Sequence, residues 1–88
     1  MKLDFNFELL DLDGTVIKNE NVSKILANKL ASASKGDALK FWDWAKKLFK
    51  CEVIDLDKSD QETLKGFIKD SELPIIYKAQ ILEIFLKE

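Results

Sequence analysis

The side chains that could do chemistry in this chain are mostly carboxylates, because its 88 residues include no histidine and one cysteine, Cys51. Without histidine the chain can form neither a Ser-His-Asp triad nor an imidazole metal site. Cys51 lacks a histidine base to activate it, so we interpret it as a packing residue. Acid–base or metal chemistry would have to rest on two pairs of aspartates, Asp11 with Asp13 and Asp55 with Asp57.

The stretch from Asp11 to Val16, Asp-Leu-Asp-Gly-Thr-Val, resembles the first motif of the haloacid dehalogenase superfamily. The resemblance implies a Mg²⁺-dependent phosphohydrolase in which Asp11 attacks phosphorus and Asp13 acts as acid and base beside the metal ion. A nucleophile of that family ends a parallel strand buried on both faces, which should be almost continuously aliphatic. Here the preceding segment carries four polar residues on one face, and the later motifs of the family are missing. We interpret the match as coincidental and keep the phosphohydrolase as an alternative.

A β-hairpin accounts for the same residues. Polar and apolar residues alternate strictly from Lys2 to Leu9, which predicts a half-buried antiparallel strand. Its apolar face consists of Leu3, Phe5, Phe7 and Leu9. Asp13-Gly14 is suited to the positive φ angles of a tight turn, and β-branched residues follow it. The predicted hairpin has strands at about 2–10 and 15–18.

Four helices are predicted after the hairpin, at about 22–31, 38–50, 60–69 and 74–86. Asn19, Asn21 and Asp37 are candidate N-caps, and Ser59 with Glu62 matches a capping box. The connector 52–56 either stays extended or adds a strand. The predicted fold is a single α+β domain over residues 1–88.

The second acidic cluster, Asp55, Asp57 and Asp60, occupies part of a possible twelve-residue calcium loop. That loop holds Asp60 where a glycine is needed and Gly66 where a glutamate must close it. Helix capping explains the cluster better, so we expect neither a metal site nor a cofactor.

Two helices carry the strongest apolar signals. The face of helix 38–50 predicted to be buried consists of Ala38, Phe41, Trp42, Ala45, Leu48 and Phe49. Trp44 lies off this stripe and is predicted to be exposed. The last helix is apolar on more than one stripe, so it is either central or in contact with another chain. The candidate interaction surface is Trp44, Ile81, Ile84 and Phe85.

Charge and hydropathy narrow the range of partners. The net charge of -2 and pI of about 5.2 give no long-range attraction for phosphate backbones, so no nucleic acid partner is expected. The lysines of helix 38–50 nevertheless leave a small nucleic-acid-binding regulator as an alternative. No apolar run approaches the roughly 18 residues that span a bilayer, and the N-terminus does not resemble a signal peptide. We expect a complete cytoplasmic protein with no membrane partner.

Several segments look like a group of small uncharacterised proteins of gut Bacteroidetes and of phage-like regions of bacterial genomes. The segments that carry this resemblance are 26–31, 34–48, 56–60 and 78–83. It implies a bacterial or prophage context, and it assigns no activity and no functional residue. With no catalytic chemistry in the sequence, we predict that the protein is not an enzyme. The predicted function is protein–protein interaction or assembly, as a homodimer or as an adaptor in a phage or mobile element.

Overall fold

The N-terminal segment forms two short strands where one long strand is predicted. In the computed structural model, which describes residues 2–86, β1 (Lys2–Leu3) and β2 (Glu8–Leu10) are separated by an irregular stretch. Within that stretch the Asp4 carboxylate accepts a hydrogen bond from the backbone N–H of Asn6, at 2.9 Å. Such local side-chain bonds compete with a continuous strand, and the two halves take different partners.

β1 pairs antiparallel with β4 (Ile54–Asp55), so the connector 52–56 does add a strand. β2 pairs antiparallel with β3 (Val16–Asn21), which confirms the predicted N-terminal hairpin. β3 extends beyond the predicted end at residue 18. It includes Asn19 at φ 66°, in the left-handed region, and the pairing with β2 shifts register along this strand.

All four predicted helices are present, and the α+β class is confirmed. They are α1 (Val22–Ser32), α2 (Ala38–Phe49), α3 (Lys58–Asp70) and α4 (Ile75–Ile84). The Asn21 side chain caps α1 by accepting a hydrogen bond from the N–H of Lys24, at 3.0 Å. The Asp37 carboxylate caps α2 by accepting one from the N–H of Lys40, at 3.1 Å. Both caps are among those that the sequence indicates.

The start of α3 differs from the prediction. Its N-cap is Asp57, whose carboxylate accepts a hydrogen bond from the N–H of Asp60 at 2.7 Å, and the predicted cap Ser59 lies inside the helix. A charged oxygen is the stronger acceptor for the free N–H groups of a first turn, and it also opposes the helix dipole. The predicted capping box of Ser59 and Glu62 is therefore wrong, although the helix predicted from it is present.

The strands and helices enclose one hydrophobic core. Its buried residues are Leu3, Phe5, Leu9, Val22, Leu26, Ala27, Leu30, Phe41, Trp44, Ala45, Leu48, Ile54, Leu56, Leu64, Ile68, Leu73, Ile81 and Phe85. Ser23 is buried among them, and its hydroxyl donates a hydrogen bond to the carbonyl of Leu48 at 2.5 Å. This bond ties the start of α1 to the end of α2.

Replacing Gly36 with alanine is expected to destabilise the protein by about 2–3 kcal/mol. Gly36 adopts φ 110°, and a Cβ built on it would lie 2.5 Å from the Phe41 ring, which is itself buried. The substitution therefore adds backbone strain and a clash with a core side chain. Urea unfolding of the two proteins measures the difference.

Gly66→Ala is the matched control for that measurement. Gly66 lies inside α3, and a Cβ at this position would meet no atom within 4 Å. Alanine should therefore stabilise the helix by about 0.5–1 kcal/mol. Equal effects of the two alanine substitutions would contradict the close packing of Phe41 on the Gly36 loop.

Candidate interaction surfaces

The two tryptophans of α2 lie in environments opposite to those predicted. Trp44 is 5% exposed and belongs to the core, whereas Trp42 is 57% exposed. Residues two apart on a helix are about 200° apart around its axis, so only one of the two can face inward. The Phe41 ring lies 5.6 Å from Trp44 and 5.2 Å from Phe67 of α3, which places the Phe41–Trp44 side of α2 in the core.

The predicted contact surface on α4 is also corrected by the structure. Ile81 and Phe85 are buried and Ile84 is half-buried. The Phe85 ring packs against Phe5 at 5.9 Å between centroids. The helix is not central, because Ile81 is its one buried residue and Ile75 is 82% exposed. Of the two predicted explanations for its apolar character, contact with another chain stays a prediction. Of the four residues predicted as an interaction surface, three are therefore in the core.

A groove between α1 and α2 is lined by two exposed aromatic side chains that are not part of the core. We define the α1–α2 groove by its lining residues, Ala27, Asn28, Ala31, Trp42, Ala45, Lys46, Phe49 and Lys50. Trp42 and Phe49 are 57% and 56% exposed. The groove encloses about 240 Å³. Three of its lining residues are alanines, so its walls are set by helix backbones and its rim by two large rings.

Three lysines surround the groove. Lys46 Nζ lies 5.9 Å from the centroid of the Trp42 ring, and Lys24 Nζ lies 5.8 Å from that of Phe49, both within cation–π distance. Lys50 lines the groove directly. None of these three lysines forms an ion pair with another residue of the described range 2–86. The groove is therefore apolar inside and positively charged at its edge.

The hairpin turn presents another exposed apolar side chain. Leu12 is 96% exposed at its tip, between the exposed residues Asp11 and Asp13. The N–H of Asp11 donates to the Thr15 carbonyl at 2.8 Å, and the N–H of Gly14, at φ 87°, donates to the Asp11 carbonyl at 2.9 Å. These bonds close the turn and leave the Leu12 side chain pointing away from the protein.

Both carboxylates of the turn accept hydrogen bonds from backbone N–H groups of the same turn. Asp13 Oδ1 accepts a hydrogen bond from the N–H of Thr15 at 2.9 Å, and Asp11 Oδ1 accepts one from the N–H of Leu12 at 2.7 Å. Hydrogen bonds from the Thr15 side chain, and then from its backbone, hold the pKa of Asp13 below its usual value. The acidic pair shapes the turn, as the hairpin interpretation predicts, and the lowered pKa of Asp13 favours its charged form.

Gln80 of α4 holds the hairpin in place. The Leu10 N–H donates to Gln80 Oε1 at 2.9 Å, and Gln80 Nε2 donates to the Leu10 carbonyl at 2.7 Å. The side-chain amide thus occupies the hydrogen-bonding groups that β2 turns away from β3, as a neighbouring strand would. The turn is consequently displayed by a hairpin that is anchored on the helical layer.

The second acidic cluster is divided between structural roles. Asp57 caps α3, while Asp60 forms an ion pair with Lys40 at 2.7 Å, which raises the pKa of that lysine. Within the described residues, no group of three His, Cys, Asp or Glu side chains is placed to hold a metal ion. Cys51 is half-buried just beyond α2, with its Sγ 3.8 Å from Asn21 Oδ1.

A wider cleft of about 750 Å³ lies between the end of α1 and α3. Its lining includes lysines and acidic residues together, among them Lys29, Lys35, Glu62 and Asp70. No single ligand chemistry follows from this mixture. The α1–α2 groove and the hairpin turn each have a consistent character.

Comparisons with known proteins identify no relative of this chain. No protein-family model matches the chain, and neither the curated proteins nor the solved structures contain a significant match. In the part of the chain that the structure describes, every helix is too short or too polar to cross a bilayer.

Proposed function

We propose that this protein is a non-enzymatic interaction module that binds an acidic, apolar segment of a protein partner in its α1–α2 groove. The observation that carries the proposal is the pair of large rings, Trp42 and Phe49, which are both more than half exposed beside a groove lined with alanine. We further propose a cytoplasmic location and, from the resemblance to phage-type proteins, a role as an adaptor in a phage or mobile-element assembly.

Exposed aromatic rings beside a groove favour binding for an energetic reason. Trp and Tyr are enriched among the residues that dominate binding energy at protein interfaces, because each buries a large apolar area with few rotatable bonds. Trp42 and Phe49 stay exposed here although other rings of the chain are buried. The alanines between them allow a partner side chain to approach the helix backbones closely.

The charge around the groove specifies the partner. Lys24, Lys46 and Lys50 stand at its edge without an acidic partner in the described residues, although the whole chain is acidic. Carboxylates that flank an apolar side chain would complement this local charge, which favours correct orientation and faster association. An acidic amphipathic peptide fits this description, and a basic one would be repelled.

A protein partner explains the groove better than a nucleic acid does. Proteins that bind single strands stack successive bases on exposed ring faces along a cationic groove. Here lysines already lie over the rings of Trp42 and Phe49, and alanines line a concave groove between them. The exposed Asp43, paired with Lys47 at 3.3 Å, adds negative charge to the same helix.

Two synthetic helical peptides test the proposal. Both carry leucine at positions i, i+3, i+4 and i+7, and their polar positions hold glutamate in one and lysine in the other. The acidic peptide is expected to bind and to shift the Trp42 emission to the blue as the ring leaves water, whereas Trp44 is buried throughout. The basic peptide should give no shift up to about 1 mM, since both its charge and the rim are positive.

Charge-matched variants locate the binding site. Lys46→Gln with Lys50→Gln should weaken binding of the acidic peptide about three- to tenfold. The control pair, Lys58→Gln with Lys69→Gln, removes the same charge from α3, away from the groove, and should leave the affinity unchanged. The proposal is wrong if the acidic peptide fails to bind, or if both peptides bind equally. It is also wrong if a fifteen-residue oligothymidylate binds more tightly in a salt-sensitive manner.

A further inference from the structure

We propose that the segment filling the α1–α2 groove comes from a second copy of this chain, which inserts Leu12 from its Asp11–Leu12–Asp13 turn. The inference rests on the proposed function, because it names the partner of the same groove. Its result is a head-to-tail self-assembly in which every molecule offers one turn and one groove.

The turn has the chemistry that the groove requires. Leu12 supplies an apolar side chain that is 96% exposed, and Asp11 and Asp13 place a carboxylate on each side of it. The groove supplies an alanine-lined space of about 240 Å³ between Trp42 and Phe49, with Lys24, Lys46 and Lys50 at its edge. When the turn of one molecule docks in the groove of another, Leu12 contacts the apolar lining, and the carboxylates of Asp11 and Asp13 lie near the lysines at the edge.

The turn is also fixed in shape before it binds. Its backbone is closed by the bonds between Asp11 and Thr15 and between Gly14 and Asp11, and Asp13 holds the N–H of Thr15. Gln80 anchors β2 through both hydrogen-bonding groups of Leu10. Little conformational entropy is lost when such a turn docks, because it is already ordered. An exposed leucine on a rigid, acidic turn therefore binds at lower cost than one on a flexible loop.

The position of the two features determines the symmetry of the assembly. The turn joins β2 and β3, and the groove lies between α1 and α2, so the two contacting surfaces of a pair are different. A contact between different surfaces leaves one turn and one groove free at the ends of a dimer. Such a contact adds further copies until a ring closes or a filament grows. A single leucine with its flanking residues buries less than a standard interface, so we expect a Kd of about 0.1–1 mM.

Sedimentation equilibrium between about 10 μM and about 1 mM tests the inference. The average mass of the natural protein should rise with concentration, and the rise should diminish at high salt because the contact is partly ionic. Leu12→Asp should raise the Kd at least about tenfold. Leu39→Asp, which removes a leucine that is 82% exposed and lies outside the groove, should leave the Kd unchanged.

A mixing experiment then identifies the two surfaces. Ala31→Glu places a bulky acidic side chain at an exposed position in the groove, so this variant keeps its turn and loses its groove. Leu12→Asp keeps its groove and loses its turn. Each variant alone should be monomeric, and an equimolar mixture should form a 1:1 heterodimer that does not grow further.

Each alternative outcome contradicts the inference in a distinct way. A dimer of Leu12→Asp that Ala31→Glu disrupts, with no rescue on mixing, would show grooves facing each other in a symmetric pair. A natural protein that remains monomeric up to about 1 mM would exclude self-assembly. If the acidic peptide still binds in that case, the proposed function stands and only the identity of the partner is wrong.

Discussion

Replacing Trp44 with alanine is expected to lower the free energy of unfolding by about 3–5 kcal/mol. The ring is 5% exposed and packs 5.6 Å from Phe41, so its removal leaves a cavity in the core. A domain of this size has a total stability of about 5–10 kcal/mol, so the variant should unfold at a much lower urea concentration. Trp44→Phe, which retains most of the volume, provides an intermediate value if the alanine variant does not fold.

Trp42→Ala is the matched control, since it removes the same side chain two residues away. Trp42 is 57% exposed, and its loss should change stability by no more than about 0.5 kcal/mol. The same substitution should abolish the fluorescence response to the acidic peptide. Equal destabilisation by the two substitutions would show that the inward and outward faces of α2 are assigned incorrectly.

Replacing Phe5 with alanine should have an effect of similar size, about 3–5 kcal/mol. Phe5 is completely buried although it lies in the irregular stretch between β1 and β2, and its ring contacts Phe85 at the end of α4. This pair joins the N-terminal segment to the last helix. Thermal or urea unfolding measures the loss, and Phe5→Leu gives a smaller change of about 1–1.5 kcal/mol.

Phe7→Ala controls for the position of Phe5 in the chain. Phe7 belongs to the same predicted face but is only half-buried, and its backbone carbonyl accepts the N–H of Val22 whatever its side chain. A loss of about 1–2 kcal/mol is expected for this variant. If Phe5→Ala costs no more than Phe7→Ala, then the N-terminal segment is not part of the core.

The exposed aromatics and the exposed turn have a common interpretation. A folded domain gains no stability from an apolar side chain held out in water. Leu12, Trp42 and Phe49 remain exposed, while Ser23 is buried with its hydroxyl bonded to a carbonyl. The complementary charges around the turn and the groove are the observations on which the proposed assembly of like molecules rests.

Local structure was largely predictable because it depends on neighbours in the chain. Gly14 adopts the positive φ that the predicted turn needs, whereas Asp13 does not, so the expectation of positive φ at both residues holds only for the glycine. Asn21 and Asp37 start helices by accepting hydrogen bonds from N–H groups three residues ahead. The hairpin, the four helices and the α+β class follow from such short-range preferences. At α3 two residues, Asp57 and Ser59, could each act as the N-cap. The sequence pattern predicts the helix there but does not decide between these two caps, which are two residues apart.

The assignment of residues to inside and outside required the tertiary structure. On α2 an apolar stripe can be drawn through Trp42 or through Trp44, and the contact of Phe41 with Phe67 of another helix decides between them. On α4 apolar residues surround the whole helix, so its own periodicity indicates no core face, and packing against Phe5 buries Phe85.

The sequence by itself determined the turn, the caps of α1 and α2, the helices and the shortage of catalytic side chains, because each of these depends on residue type and short spacing. Only the tertiary structure decided that the strand from Lys2 splits between two partners, that Trp44 is buried and that Trp42 and Phe49 border a groove. The physical reason is that burial is a property of contacts between elements distant in the chain. An α-helix forms its backbone hydrogen bonds whichever way it is rotated about its axis. When it has more apolar residues than one face can bury, the elements packed against it therefore determine which of these residues are exposed to water.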